Sequence, residues 1–431
     1  MRPLCVLLMT LVLTGCVFSP RMHYDIQSSA KAVPEVTGED DRLVGIALSG
    51  GGSRASLFAA AGMEALWEHG LLDGTDYISS VSGGSIAASY YFKRRAVDEE
   101  PLDAEFFDRF KTAMRDDIWS SMEWRQCYKI RWLSSTRRST SLKEVLDKRF
   151  LDGLTLGELG QKRPRLLINA TVYDNGRRFV FTTMGTNELR FDLSGVDGVV
   201  RELADRPAIR TVAFADDRIL GAVPADFPVS LAVAASAAVP LLMGPVTVEL
   251  DSTYLHLGDG GLFDNSGTET LEQVILRKLQ IQDGPGTAVI FAFDSGFKTD
   301  QEELAHTRKL RVNKHPNLLV DVPTARAEAY RQVVRRAFLD ELGDDGLDSF
   351  VMDHTSASLD PKLLPASCSK EPDLCPEERC REAIEDYIAR VPTHLKIKPC
   401  DADLIELAAH AVVHRELEER FPAVRPCRFK P

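Results

Sequence analysis

The chain is poor in the features that would make it a channel, a nucleotide-binding protein or a nucleic-acid-binding protein. Its amino-terminal apolar run, residues 4–15, falls short of the ~20 residues a helix needs to cross a bilayer. Its 52 lysines and arginines stand against 64 aspartates and glutamates, a net charge of −12. That deficit argues against nucleic acid, whose phosphates require clustered basic side chains. It also argues against adhesion to anionic lipid by charge alone. No G-x-x-x-x-G-K-[ST] loop, no G-x-G-x-x-G fingerprint and no EF-hand loop occurs, which removes the common phosphate, dinucleotide and calcium motifs. No CxxC pair is present, and no histidine stands at ligand spacing from Cys375 and Cys380, so a cysteine-based zinc site is not expected. Internal repeats and long low-complexity tracts are also lacking. The hydrophobic fraction, 44%, is that of an ordinary globular protein.

Arg2 followed by the run LCVLLMTLVLTG has the length and charge order of a signal peptide. It ends in Leu13-Thr14-Gly15-Cys16, which resembles the bacterial lipobox. The resemblance implies cleavage before Cys16 and lipidation of its sulfur, and Val17 at the next position points to the outer membrane. Residues 1–15 are therefore expected to be a lipoprotein signal peptide, and residues 16–42 a lipidated cysteine with a polar tether. As a flexible coil the tether would span roughly 25–30 Å, keeping the folded body near lipid, in the periplasm or at the cell surface. Once Cys5 and Cys16 are set aside, six cysteines remain: Cys127, Cys368, Cys375, Cys380, Cys400 and Cys427. In an oxidising compartment they could form up to three disulfides of unspecified pairing.

Strand and helix patterns alternate from residue 43 onward. LVGIAL (43–48) reads as a buried strand, and Leu57, Phe58, Ala61, Ala65 and Leu66 recur at helical spacing before Gly70. Residues 76–81 predict a second strand and 83–92 a second helix. Residues 165–173 and 178–183 predict a strand pair joined by Asp174-Asn175-Gly176. Short strands are expected at 253–257 and 287–294. This alternation predicts an α/β fold with a mainly parallel central sheet. The last third differs. Apolar stripes around Tyr330–Leu342, Ala383–Ile388 and Leu404–Val412 predict amphipathic helices, read as core packing.

Three segments carry candidate chemistry. Ser49-Gly50-Gly51-Gly52-Ser53-Arg54 lies between a strand and a helix. Glycines allow a sharp turn, and a helix start offers unpaired N–H groups to a negative oxygen. Ser80-Val81-Ser82-Gly83-Gly84 occupies a second strand-to-helix junction, as a nucleophile elbow requires, with Ser80 in place of the first glycine of G-x-S-x-G. Gly258-Asp259-Gly260-Gly261 comes after the strand TYLHL and can present Asp259 with little obstruction. Each alone has a bland reading as a turn. Ser85, Ser236 and Ser295 are rival nucleophiles and Asp264 the rival base. His256 lies three residues before Asp259, which places it on the opposite face of a strand. The remaining histidines are read as structural.

Together, and in this order, the segments resemble the patatin-like phospholipases. Asn169-Ala170-Thr171 with Asp174-Asn175-Gly176-Arg177, and Ala234-Ala235-Ser236-Ala237-Ala238-Val239-Pro240, extend the likeness over residues 43–297. The resemblance implies a three-layer α/β/α domain; residues 298–431 fall outside it and are read, from their apolar stripes and five cysteines, as a helical extension stapled to that domain. It also implies a Ser–Asp dyad of Ser82 and Asp259, an oxyanion loop at Gly50, Gly51, Gly52, Ser53 and Arg54, and no metal or cofactor. Arg54 is open to two roles, binding phosphate or bracing the loop. The expected substrate is a membrane phospholipid or lysophospholipid. An acyltransferase using the same dyad, or a non-catalytic envelope lipoprotein that binds lipid or a protein partner, are the alternatives.

Overall fold

A computed structural model describes residues 25–26, 42–128, 136–160, 162–174, 176–184, 225–240, 242–250, 253–279, 286–296, 346–369, 371, 374 and 380–420. The signal peptide, Cys16, most of the tether, the stripe at 330–342, Cys375 and Cys427 lie outside them.

The strands are β1 (Asp25–Ile26), β2 (Arg42–Leu48), β3 (Tyr77–Val81), β4 (Arg165–Val172), β5 (Arg177–Phe181), β6 (Val246–Leu250), β7 (Thr253–Asp259), β8 (Thr287–Asp294) and β9 (Leu347–Asp353). The helices of eight or more residues among those described are α1 (Gly52–Glu68), α2 (Gly83–Phe92), α3 (Ala104–Met114), α4 (Ile118–Tyr128), α5 (Thr136–Leu146), α6 (Val229–Ser236), α7 (Thr268–Leu279), α8 (Cys380–Ala389) and α9 (Pro399–Arg420). All the strands join one sheet. Its centre, β9-β8-β2-β3-β4, is parallel, and β5, β6 and β7 add antiparallel ladders. The α/β architecture with a mainly parallel centre is the one the alternation predicts.

Period-two alternation divides the strands between two cores. Ile46, Leu48, Phe291 and Phe293 face one side with α1, α2 and α9. Ala47, Ala288, Ile290 and Ala292 face the other, against Leu271, Val274 and Ile275 of α7. With helices on both faces the central strands can be apolar throughout. Helix α1 is buried along almost its whole length, only Trp67 among its residues lying partly open. One side packs on the sheet and the other on α9. Leu404, Ile405, Ala408, Ala409, Val412 and Val413 of α9 are fully buried in the same core. Each fully buried leucine, isoleucine or valine side chain contributes ~1.5–3 kcal/mol.

The carboxy-terminal region differs in two respects from the sequence-based expectation. It is not only helical, because β9 pairs in parallel with β8 along its whole length. The described disulfide, Cys368–Cys400, lies within the region, joining the turn Ala366–Cys368 to the start of α9. Attachment to the preceding chain comes from the β8–β9 ladder and from α9 against α1. Cys127 is an exposed free thiol. Within the segment expected to be a free tether, Asp25–Ile26 pairs in parallel with Glu249–Leu250 of β6. Among the described residues, no helix is long and apolar enough to cross a membrane.

Candidate active site

The site is set by how three strands share one neighbour. β5 lines one edge of β4, with Ile168 opposite Phe181 and Val172 opposite Arg177. The opposite edge is divided. β3 runs along it in parallel until Val81 meets Asn169. β7 arrives from the other direction, and its last residue, Asp259, meets Ala170. The two strands therefore end head to head on adjacent residues of β4. Ser82 is the first residue beyond the end of β3.

The chain turns at Ser82 with φ 50 and ψ −114. A serine with that positive φ is strained, at a cost of roughly 1–3 kcal/mol. The surroundings hold it there. The Ser82 N–H donates to Ser236 Oγ at 2.9 Å, and its carbonyl accepts from the N–H groups of Ser85 and Ile86. Glycines next to it let the elbow lie flat on the loop before α1. A Cβ on Gly83 would run into the Gly52 carbonyl, and one on Gly84 into the Leu48 carbonyl. Ser80, at the position usually held by glycine, is fully buried, and its hydroxyl accepts from Ser85 Oγ at 3.1 Å. The neighbour thus accommodates the departure from G-x-S-x-G.

Asp259 is buried, and its carboxylate accepts from the Gly261 N–H at 2.7 Å and lies near enough to the Ser82 side chain to feel its hydroxyl. Burial pushes its pKa up to about 6, against the lowering influence of the Gly261 N–H and the Ser82 hydroxyl. Its backbone is fixed on both sides, with Thr171 Oγ1 donating to the Asp259 carbonyl at 2.8 Å and the Asp259 N–H to Ala238 O at 3.1 Å. Tyr173 stands alongside and donates to Ala238 O at 2.9 Å. Burial first, and then the Asp259 charge, raise its phenol to about 12.

The glycine-rich loop lies against Ser82. A Cβ on Gly50 would be 3.4 Å from Ser82 Cβ. Gly51 (φ 143) and Gly52 (φ 63) adopt conformations that favour glycine. Helix α1 has no side-chain N-cap, so its first-turn N–H groups depend on other acceptors. Two of the loop's amides have one. Gly50 N–H donates to Asn265 O at 2.8 Å, and Ser53 N–H to His394 O at 2.6 Å. Those of Gly51 and Gly52 lie between them at the helix start. The His394 contact was not legible in the sequence, because it comes from the segment between α8 and α9. Arg54 is buried and braces the same segment, donating to the Ser295 and Val391 carbonyls and to Thr393 Oγ1. Of its two open roles, these contacts correspond to bracing.

The rival groups are held elsewhere. Ser85 and Ser236 are fully buried and hydrogen-bonded to each other at 3.1 Å beneath the elbow, and Ser295 is engaged by Arg54 and by Ser49. Asp264 accepts from Ser266 N–H and hydroxyl and from Glu269 N–H at the start of α7. His256 Nδ1 on β7 pairs with Asp174 of the β4–β5 turn at 2.9 Å. The supporting roles of Ser236, Asn265 and Tyr173 had no signal in the sequence beyond their nearness to the motifs.

A mixed α/β sheet carrying a strained strand-to-helix serine beside a glycine-rich helix start defines an α/β protein of the nucleophile-elbow kind. A profile of the patatin-like phospholipases matches residues 46–271, more than half of the chain. The chain belongs to the patatin-like phospholipase family, and the match lies inside the stretch over which its motifs resemble that family. Human GIVD cytosolic phospholipase A2 is similar in structure, with a TM-score of 0.46 at 13% identity over 89% of this chain and 60% of that one. The same human protein in complex with the inhibitor methyl gamma-linolenyl fluorophosphonate and terbium chloride gives 0.48 at 14%, over 91% and 60%. VipD from Legionella pneumophila gives 0.31 at 13%, over 89% and 67%. The chain thus spans about 60% of the length of the human chains. No curated protein sequence matches it.

Proposed function

We propose that the protein is a serine lipid acyl hydrolase that cleaves the acyl ester of a phospholipid or lysophospholipid through Ser82 and Asp259. One observation carries the reading: β3 and β7 end head to head on adjacent residues of β4, which brings the strained Ser82 elbow beside a buried carboxylate with a raised pKa of about 6. A base is most effective with a pKa near the working pH, since it is then largely ionised yet basic enough to accept a proton. As the Ser82 oxygen bonds to the ester carbonyl carbon, its proton passes to Asp259. The carbonyl oxygen becomes an oxyanion, and the Gly51 and Gly52 amides at the start of α1 receive it. Loss of one such donor costs ~10²–10³ in rate. Collapse of the tetrahedral intermediate breaks the bond to the leaving alcohol, which takes the proton from Asp259 and leaves an acyl-Ser82 ester. Asp259 then deprotonates water, whose attack returns free Ser82 and a fatty acid. The Gly261 N–H holds the carboxylate oriented throughout.

The lipobox-like sequence at Cys16 supports a membrane address for this chemistry, with an acylated amino terminus at the cell envelope, at the outer membrane where there is one, and lipid as both anchor and substrate. Two measurements test the reading. A fluorophosphonate probe should label the purified protein, and Ser82→Ala should abolish labelling. A panel of phospholipids and lysophospholipids should release free fatty acid. Retained labelling and turnover in Ser82→Ala would remove this nucleophile. Acyl transfer to an added lipid alcohol in place of fatty-acid release would make the protein an acyltransferase.

A further inference from the structure

A second group of chemically capable side chains lies at the seam between α1 and α9. His410 and His414, one helical turn apart, project from the same side of α9. Opposite them at the end of α1 is Glu68, with Glu64 one turn earlier and His69 next in sequence. Glu68 Oε2 is 3.6 Å from His410 Nδ1 and 3.7 Å from His414 Nε2. One donor atom from each of the three residues lies within 4.8 Å of the other two. Donors around a tetrahedral zinc ion, each bonded at about 2.0–2.1 Å, are roughly 3.3 Å apart. Closing this triad on an ion therefore requires shifts of a few tenths of an ångström for the Glu68 pairs and of up to about 1.5 Å between the two histidine nitrogens.

The nitrogens facing away from the triad are engaged in the way ligating histidines require. His410 Nε2 is 3.2 Å from Glu64 Oε2, and that glutamate is held in turn by Lys111 Nζ of α3 at 2.6 Å. His414 Nδ1 is 2.7 Å from His69 Nε2. If His410 carries its proton on Nε2 and His414 on Nδ1, each donates that proton outward and leaves the inner nitrogen's lone pair for a cation. This outer layer of hydrogen bonds orients metal-bound imidazoles. Glu68 is buried, whereas His410 and His414 are half-buried, so one side of the triad is open to water. Two imidazoles and one carboxylate suit zinc and its neighbours rather than calcium or magnesium, which take oxygen donors.

We propose that Glu68, His410 and His414 form a binding site for a divalent cation of the zinc class, with Glu64 and His69 as its outer hydrogen-bonding partners. The ion would clamp α9 onto α1, whose first residues form the glycine-rich loop more than ten residues away. The site is separate from Ser82 and stands independently of the hydrolase reading.

The test uses the full chain, dialysed against a chelator and titrated with zinc ions alone. One zinc per chain should bind, and zinc should raise the melting temperature. His410→Ala and His414→Ala should each weaken binding by about 100-fold or more, and Glu64→Gln by about 10–100-fold, with the circular dichroism of a folded chain retained at the temperature of the titration. Cobalt(II) keeps the test decisive if a histidine variant does not fold. The wild-type chain loaded with cobalt should show the visible bands of a nitrogen–oxygen site without a thiolate charge-transfer band. Absence of stoichiometric binding, binding untouched by the histidine variants, or a thiolate band would each overturn the assignment. The first of these would leave the cluster as an ion-paired hydrogen-bond network.

Discussion

Replacing Asp259 by asparagine should remove the activity and stabilise the fold, and the stabilisation should depend on pH in a calculable way. The carboxyl of an unfolded chain titrates near 3.8, and that of Asp259 at about 6, because burial opposes its charge. Each pKa unit corresponds to ~1.4 kcal/mol, so the ionised form is penalised in the folded state by roughly 3 kcal/mol. The sign is set by proton binding. Between the two pKa values the folded state holds the proton that the unfolded state has released, so the wild type loses stability as pH rises through that interval. Below about pH 3.8 both states are protonated and the penalty vanishes, and above about pH 6 it is complete. Asparagine keeps an oxygen for the Gly261 N–H and carries no charge. Its advantage over the wild type, read from urea unfolding of both proteins, should therefore grow by about 2 kcal/mol between pH 4.5 and pH 8. Other titrating groups are common to both proteins and cancel in the difference. An advantage that stayed constant with pH would refute the argument that burial sets this pKa. On the kinetic side, kcat/KM of the wild type should rise tenfold per pH unit below about 6 and level off above it, while Asp259→Asn should lose at least ~10³-fold of turnover.

The strain at Ser82 separates two inactive variants. Ser82→Gly tolerates the positive φ that Ser82→Ala must still adopt, so it should be the more stable of the two by about 1 kcal/mol in urea unfolding; equal midpoints would mean the turn relaxes without the hydroxyl. Gly83→Ala drives a methyl into the Gly52 carbonyl, and thermal unfolding should show a loss of several kcal/mol together with loss of fluorophosphonate labelling. A fully labelled, equally stable variant would show that the loop and elbow can separate. Cys368→Ser with Cys400→Ser opens a loop closed across 32 positions and should cost about 3–4 kcal/mol by the chain-entropy estimate. Unchanged unfolding of that pair would indicate that α9 is held by its packing on α1 alone.

Much of the central domain could be read along the chain because its rules are local. Alternation and apolar runs mark β2, β3, β4 and β8. Helical spacing marks α1, and the glycines after Ser49, Ser82 and Asp259 mark the turns, since only residues without Cβ fit where backbones touch. The head-to-head meeting of β3 and β7 on β4 is not local. It depends on which edge of β4 each strand selects, and nothing in TYLHLGD or DYISSV encodes that choice. Burial of Asp259, and with it a carboxylate pKa of about 6, exists only once α6, β4 and β7 close around it. β9 adds to β8 across more than fifty intervening residues, without a sequence signal strong enough to announce it. The histidines of α9 look like ordinary helical residues until α1 brings Glu64, Glu68 and His69 against them. Residue type and spacing thus determined the elements and the candidate chemistry. The sheet ladder and the α1–α9 packing decided which groups meet and how far water is excluded from them, because both are properties of contacts between segments remote in sequence.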